Sequence, residues 1–139
     1  MVTRNLSARR LMLGFAVASL PMVLSTAAFA QTYTGPNNGN WDTAGNWNPA
    51  TVPNSAAANV IVSNLATVVI PDGVSRTAGD VTISASSGIS IGTNSYFYLS
   101  GSLANVGTLT IVGDNSRLRT NGNNLDITGT GAIVLSHAN

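Results

Sequence analysis

The chain has 139 residues, 44% hydrophobic and 8% charged, with six basic and five acidic side chains and no cysteine. That length allows at most one modest domain. Lysine and glutamate are both absent, which argues against a soluble helical bundle, and a few scattered arginines cannot build a phosphate-neutralising face, so nucleic acid is not an expected partner.

The first element in chain order is an export signal over residues 1–30. Arg4, Arg9 and Arg10 make a basic start, Leu11 to Leu20 is uncharged, and Ala28-Phe29-Ala30 sets small residues before a cut between Ala30 and Gln31. A basic start, an apolar middle and a small-residue exit describe a secretory signal peptide. An uncleaved anchor is the alternative, because the uncharged stretch approaches the length that spans a bilayer. Pro21 interrupts that stretch, and the small-residue exit fits cleavage better. Membrane contact is then expected only through the signal peptide during export. The Arg9-Arg10 pair also raises a twin-arginine route, although Leu11-Met12-Leu13 matches that motif poorly. The mature part, residues 31–139, is expected outside the cytoplasm: extracellular or on the outer cell surface, with the periplasm in transit. The absence of cysteine fits a bacterial product that does without disulfides.

Residues 31–58 hold both tryptophans, Trp41 and Trp47, with Tyr33 and three of the five prolines. They are expected to form an N-terminal cap, with Tyr33, Trp41 and Trp47 lying across the open end of whatever follows and burying it. The alternative is a glycan-stacking platform built from the same three rings.

Residues 59–139 are expected to be all-β. Apolar residues recur in short β-branched alternations: Val60-Ile61-Val62, Thr67 to Ile70, Val81-Thr82-Ile83, Ile89-Ser90-Ile91, Phe97-Tyr98-Leu99, Leu109-Thr110-Ile111, Leu118-Arg119, Leu125-Asp126-Ile127 and Ile133-Val134-Leu135. Period two with one apolar face is a strand signal, and no ten-residue window shows the helical period. Turn chemistry separates these runs, at Pro71-Asp72-Gly73, Ser86-Ser87-Gly88, Gly92-Thr93-Asn94, Gly113-Asp114-Asn115, Asn121-Gly122-Asn123 and Gly129-Thr130-Gly131. The runs start roughly every eight residues.

Such spacing suits a sandwich, a barrel or a solenoid. Composition favours the solenoid. The mature part holds 15 Asn, 13 Gly, 13 Thr and 12 Ser, about half its length. Parallel coils stack like on like, so Asn and Thr share hydrogen bonds along the stack while charged ladders would repel. Three strand-turn units predict a coil of about 24 residues, hence four to five coils. The expected fold is a parallel β-helix, or β-solenoid, after an N-terminal signal helix, with a small β-sandwich as the alternative.

Within this frame Tyr33-Thr34-Gly35, Gly39-Asn40-Trp41-Asp42-Thr43-Ala44-Gly45-Asn46-Trp47, Val52-Pro53 and Asn59-Val60-Ile61-Val62 resemble the start of large bacterial surface proteins. Those proteins carry autotransporter-associated β-strand repeats, and some end in PEP-CTERM-type sorting tails. Here Tyr33 stands where the family opens on Trp, and Ala56-Ala57-Ala58 replaces an acidic Gly-Asp turn. Gly107-Thr108-Leu109-Thr110-Ile111 is similar to the family's Gly-Thr-Leu-Thr repeats. The resemblance implies a right-handed parallel β-helix exported to the cell surface, and it brings no catalytic residues.

Candidate chemistry is sparse. Asp72, Arg76 and Asp80 fall within one short stretch, and Asp114, Arg117 and Arg119 in another, with the two arginines alternating outward from Leu118. Turn formation and surface solubility account for both groups. His137 is the only histidine, too near the end of the chain for a nucleophile-base pair. No metal or other cofactor is expected: the Gly-Gly-x-Gly-x-Asp calcium repeat and zinc-ligand spacings are missing. A strand at Ile133 to Leu135 followed by only four residues suggests a fragment of a longer protein, or an open end suited to head-to-tail self-association. The expected function is a non-catalytic structural or adhesive solenoid, meeting surface glycans or a host or neighbouring-cell surface. The alternative is a carbohydrate-binding or polysaccharide-degrading β-helix protein, a lyase or glycoside hydrolase.

Overall fold

A computed structural model of the chain describes residues 30–122 and 124–136. The export signal, apart from Ala30, lies outside the described residues, as does His137. The described residues form fourteen short strands: β1 (Ala30–Tyr33), β2 (Gly39–Asn40), β3 (Trp47–Asn48), β4 (Asn59–Val62), β5 (Thr67–Ile70), β6 (Ser75–Ala78), β7 (Val81–Ile83), β8 (Gly88–Ile91), β9 (Tyr96–Leu99), β10 (Leu103–Asn105), β11 (Thr108–Val112), β12 (Arg117–Thr120), β13 (Ile127–Thr128) and β14 (Ala132–Ser136). They stack into three sheets, ordered β13-β10-β7-β4-β1-β3, β14-β11-β8-β5-β2 and β12-β9-β6. From β4 to β12 each turn of chain contributes one rung to each sheet, and all pairings are parallel except β1 with β3. The fold is a parallel β-solenoid of about four turns.

The alternation seen in the sequence builds the interior. Val60 stacks beside Val81 and then Leu103, Val68 beside Ile89 and Leu109, and Ile70 beside Ile91. All of these side chains are buried. Removing branched apolar surface from water supplies the main driving force, roughly 1.5–3 kcal/mol for each fully buried side chain. In the last rung the same inward positions are open, with Ile133 and Leu135 both exposed.

The coil is shorter than expected. Asn59 meets Asp80, 21 residues on, and Asn94 meets Asn115 at the same spacing. The step from β10 to β13 is longer, running from Leu103 to Ile127. The difference from expectation has a physical origin in β6 and β10, two strands without an apolar alternation. Each carries a polar residue at an inward position. Arg76 occupies the position that Phe97 takes one turn later, and Asn105 the position of Ile83.

One of the three corners, between the second and third sheets, repeats as faithfully as the strands. Gly73, Asn94 and Asn115 all adopt positive φ, at 72°, 56° and 57°. They are evenly spaced, one in each turn of chain, so three of the bends read separately in the sequence form one column. Glycine has no Cβ to clash there, and asparagine is the side chain that best tolerates the same region. The column is tied by Gly73 N–H donating to Thr93 O (2.9 Å), Asn94 N–H to Asp114 O (3.1 Å) and Asn115 Nδ2 to Asn94 Oδ1 (3.2 Å).

Residues 31–58 make the first turn of the stack together with a return strand. β1 and β2 are the first rungs of two sheets. The third sheet has no rung at this level; the chain instead turns through Ala44–Asn46 and runs back as β3 along the outer edge of β1. That edge would otherwise present unpaired backbone groups.

Candidate functional site

Tyr33, Trp41 and Trp47 converge inside the first turn. All three are buried, Tyr33 and Trp41 completely. Trp41 sits edge-on to Trp47, with ring centroids 4.7 Å apart, and to Phe97 at 5.2 Å, while Tyr33 meets Trp47 edge-on at 5.2 Å. Their polar tips are satisfied internally. Trp41 Nε1 donates to Pro53 O (2.9 Å), Trp47 Nε1 to Trp41 O (2.7 Å) and the Tyr33 hydroxyl to Pro36 O (2.8 Å). Burial pushes the Tyr33 phenol above its ordinary pKa. A sugar stacks on a ring face that solvent reaches, and none of these rings presents one. The glycan-stacking reading of this trio is therefore corrected to an interior aromatic cluster. Ala30, at the expected cleavage point, opens β1 and is exposed. Gln31 is buried and donates from Nε2 to Thr51 O (2.6 Å).

Asp72, Arg76 and Asp80, close in sequence, are drawn apart by separate tasks. Asp72 Oδ1 accepts the Thr93 N–H (2.7 Å) from the next turn. Asp80 Oδ1 accepts both the N–H (2.7 Å) and the hydroxyl (2.9 Å) of Ser102, again one turn on. Arg76 reaches from its inward position to Asp42, Nε to Oδ1 at 2.6 Å and Nη2 to Oδ2, a two-point ion pair that satisfies a guanidinium at the end of the core. So Arg76 is a strand residue, and its partner is an aspartate 34 residues earlier. Among the described residues no group of three potential metal-ligating side chains comes together.

The Ser102 bonds hold the Asp80 carboxyl below the usual carboxylate pKa. A group whose pKa falls on folding adds stability above its unfolded value, near 3.9, and loses it as pH drops through the folded value. Asp80→Asn keeps the acceptor oxygen but cannot titrate. Urea midpoints measured across the acid range should fall less steeply for D80N than for wild type. Parallel curves would mean that this carboxylate carries no acid sensitivity.

The third sheet carries a different kind of surface. Phe97, Leu99 and Leu118 point inward, which turns their neighbours outward. Tyr96 lies beside Arg117 and Tyr98 beside Arg119 on adjacent rungs, with Ser75 and Thr77 continuing the same two columns on β6. The two tyrosine rings follow one another along β9, centroids 6.1 Å apart and planes 28° from parallel. The Arg119 guanidinium crosses diagonally to lie 4.9 Å from the Tyr96 ring centre, a cation–π contact. Both arginines are exposed and both tyrosines half-buried. Arg76 is held by Asp42 at the end of the core, so the positive charge that reaches this face is that of Arg117 and Arg119.

Sequence reading places Arg117 and Arg119 outward, takes Tyr98 only as the middle of the Phe97-Tyr98-Leu99 alternation and does not single out Tyr96. The signal available is the Tyr-Phe-Tyr alternation, whose outward members carry hydroxyls. No protein-family profile matches the chain, and neither the curated proteins nor the solved structures yield a match.

Proposed function

We propose that this chain is an exported, non-catalytic structural or adhesive β-solenoid of the bacterial cell surface, of the kind that carries autotransporter-associated β-strand repeats. The observation that carries this reading is the use made of the acidic side chains. Asp72 and Asp80, neighbours in sequence on either side of Arg76, each hold the backbone of the following turn. A general acid or base needs a proton it can exchange with substrate, whereas Oδ1 of each of these carboxylates serves as a joint between coils. The export pattern of residues 1–30 and the resemblance over Tyr33 to Val62 support the location.

The test has two arms. Expressed from its full reading frame in a bacterial host, the protein should be cut by protease added to intact cells, or be released with an intact mass that starts at Gln31. Incubated with a panel of polysaccharides, it should produce neither new reducing ends nor unsaturated products. Reproducible turnover lost in Asp72→Asn or Asp80→Asn would instead make it a polysaccharide-degrading enzyme.

A further inference from the structure

We propose that the outer face of the third sheet binds an extended acidic polysaccharide, a uronate-bearing glycan chain, through Tyr96, Tyr98, Arg117 and Arg119. The proposal rests on the adhesive reading above and names its ligand-contacting surface.

Charge placement is the first argument. Beyond residue 30 the chain has three arginines against five aspartates. One arginine, Arg76, is consumed by Asp42. The other two stand side by side on β12, alternating outward with Leu118 between them. A body of net negative charge thus concentrates its remaining positive charge on one sheet face. Asp72, Asp80, Asp114 and Asp126 all lie outside the strands, in the links between rungs.

Shape is the second. The Tyr96 and Tyr98 rings stack on one another along the strand, so the pair meets a ligand with ring edges and hydroxyl tips rather than with open faces. Arg119, already laid against Tyr96, is held in a restricted geometry, which lowers the entropic cost of engaging a ligand. On the next rung Ser75 and Thr77 extend the columns with small hydroxyl-bearing side chains. A linear ligand can therefore run over the rungs without meeting bulk.

The chemistry that satisfies all of this has C–H surface for the ring edges, hydroxyls for Ser, Thr and Tyr, and carboxylates for the guanidinium forks, which bind such groups in two-point geometry. A neutral glycan leaves the arginines unanswered. Two cations are too few to neutralise the run of phosphates that anchors a nucleic acid, and the oligothymidylate arm of the titration separates the two polyanions.

Isothermal titration of the full chain with an oligogalacturonate, and with the same oligomer methyl-esterified, tests the proposal. The acidic oligomer should bind and the neutral ester should bind at least about tenfold more weakly. Arg117→Gln/Arg119→Gln and Tyr96→Ser/Tyr98→Ser should each weaken binding by about tenfold or more, with wild-type far-UV circular dichroism, because all four side chains face outward. Arg119→Lys, the mildest change, should retain charge yet lose part of the affinity, since ammonium lacks the planar fork. Absence of binding, equal binding of acid and ester, unchanged affinity in the variants, or tighter binding of oligothymidylate would each overturn the proposal. Surface protease sensitivity on intact cells reads the adhesive location separately, so loss of the ligand face and loss of that location give different results.

Discussion

Replacing Trp41 with alanine is expected to destabilise the protein by about 3–5 kcal/mol, the range for deleting a large buried aromatic. This one residue ties together several parts of the first turn. Its ring lies against Trp47 and Phe97, its Nε1 holds Pro53 O, its backbone N–H donates to Val69 O (2.8 Å) and its backbone O accepts from Trp47 Nε1. The third sheet has no rung at this level among the described residues, so the ring fills volume that a third-sheet strand closes off in later turns. Its deletion leaves a cavity bounded by rigid rungs, which collapse poorly. Because the stack is quasi-linear, loss at one end should lower the urea midpoint and also shallow the transition, as the first turn opens before the rest. Urea melts followed by far-UV circular dichroism measure both quantities. A loss below about 1 kcal/mol would show that the aromatic cluster is peripheral to stability.

Gly107→Ala is the second large effect, expected to cost about 3 kcal/mol, at the upper end for overpacking. The links from β4 to β5 and from β7 to β8 take four residues each, but the link from β10 to β11 takes only Val106 and Gly107. This shortened corner brings the backbone against the turn before it. A Cβ on Gly107 would approach Ser84 O at 2.5 Å and the Ile83 side chain at 2.8 Å, and would press still closer on Ser87 O. Two of those atoms belong to backbone that cannot rotate away. The matched control is Gly45→Ala, where a Cβ meets nothing within 4 Å and stability should move by about 0.5 kcal/mol or less. Similar melting curves for both variants would remove the steric argument for the shortened corner.

What is legible in the sequence follows from where side chains point. Strands β4, β5, β7, β8, β9 and β11 are readable because apolar residues, mostly β-branched, recur at every second position, and the interior needs only that period. Strands β6 and β10 are not, because Arg76 and Asn105 occupy inward positions. Each is tolerated for a reason that sequence pattern cannot carry: Asp42 reaches Arg76 across 34 residues, and Asn105 Nδ2 donates to Ala132 O (2.9 Å) one turn later. Without these two strands the coil looks longer than the 21-residue spacing that the bonds between turns reveal. Tyr33, Trp41 and Trp47 stand out as a group, but their burial depends on the return of β3, two residues long and antiparallel. The surface of Tyr96, Tyr98, Arg117 and Arg119 needs the register itself, since its paired members lie a full turn of chain apart.

The column of positive-φ corners has a consequence for how such a molecule occupies space. Each rung is separated from the next by about 4.8 Å, whereas the chain of one turn, if extended, would reach roughly 70 Å. The fold therefore converts length into cross-section, and height rises in fixed increments. A duplication of the 21-residue period from Gly73 to Thr93 would insert a layer whose positive-φ corner finds its counterparts above and below. Size in this architecture is quantised: the object can be made taller by whole storeys without redesigning any of them.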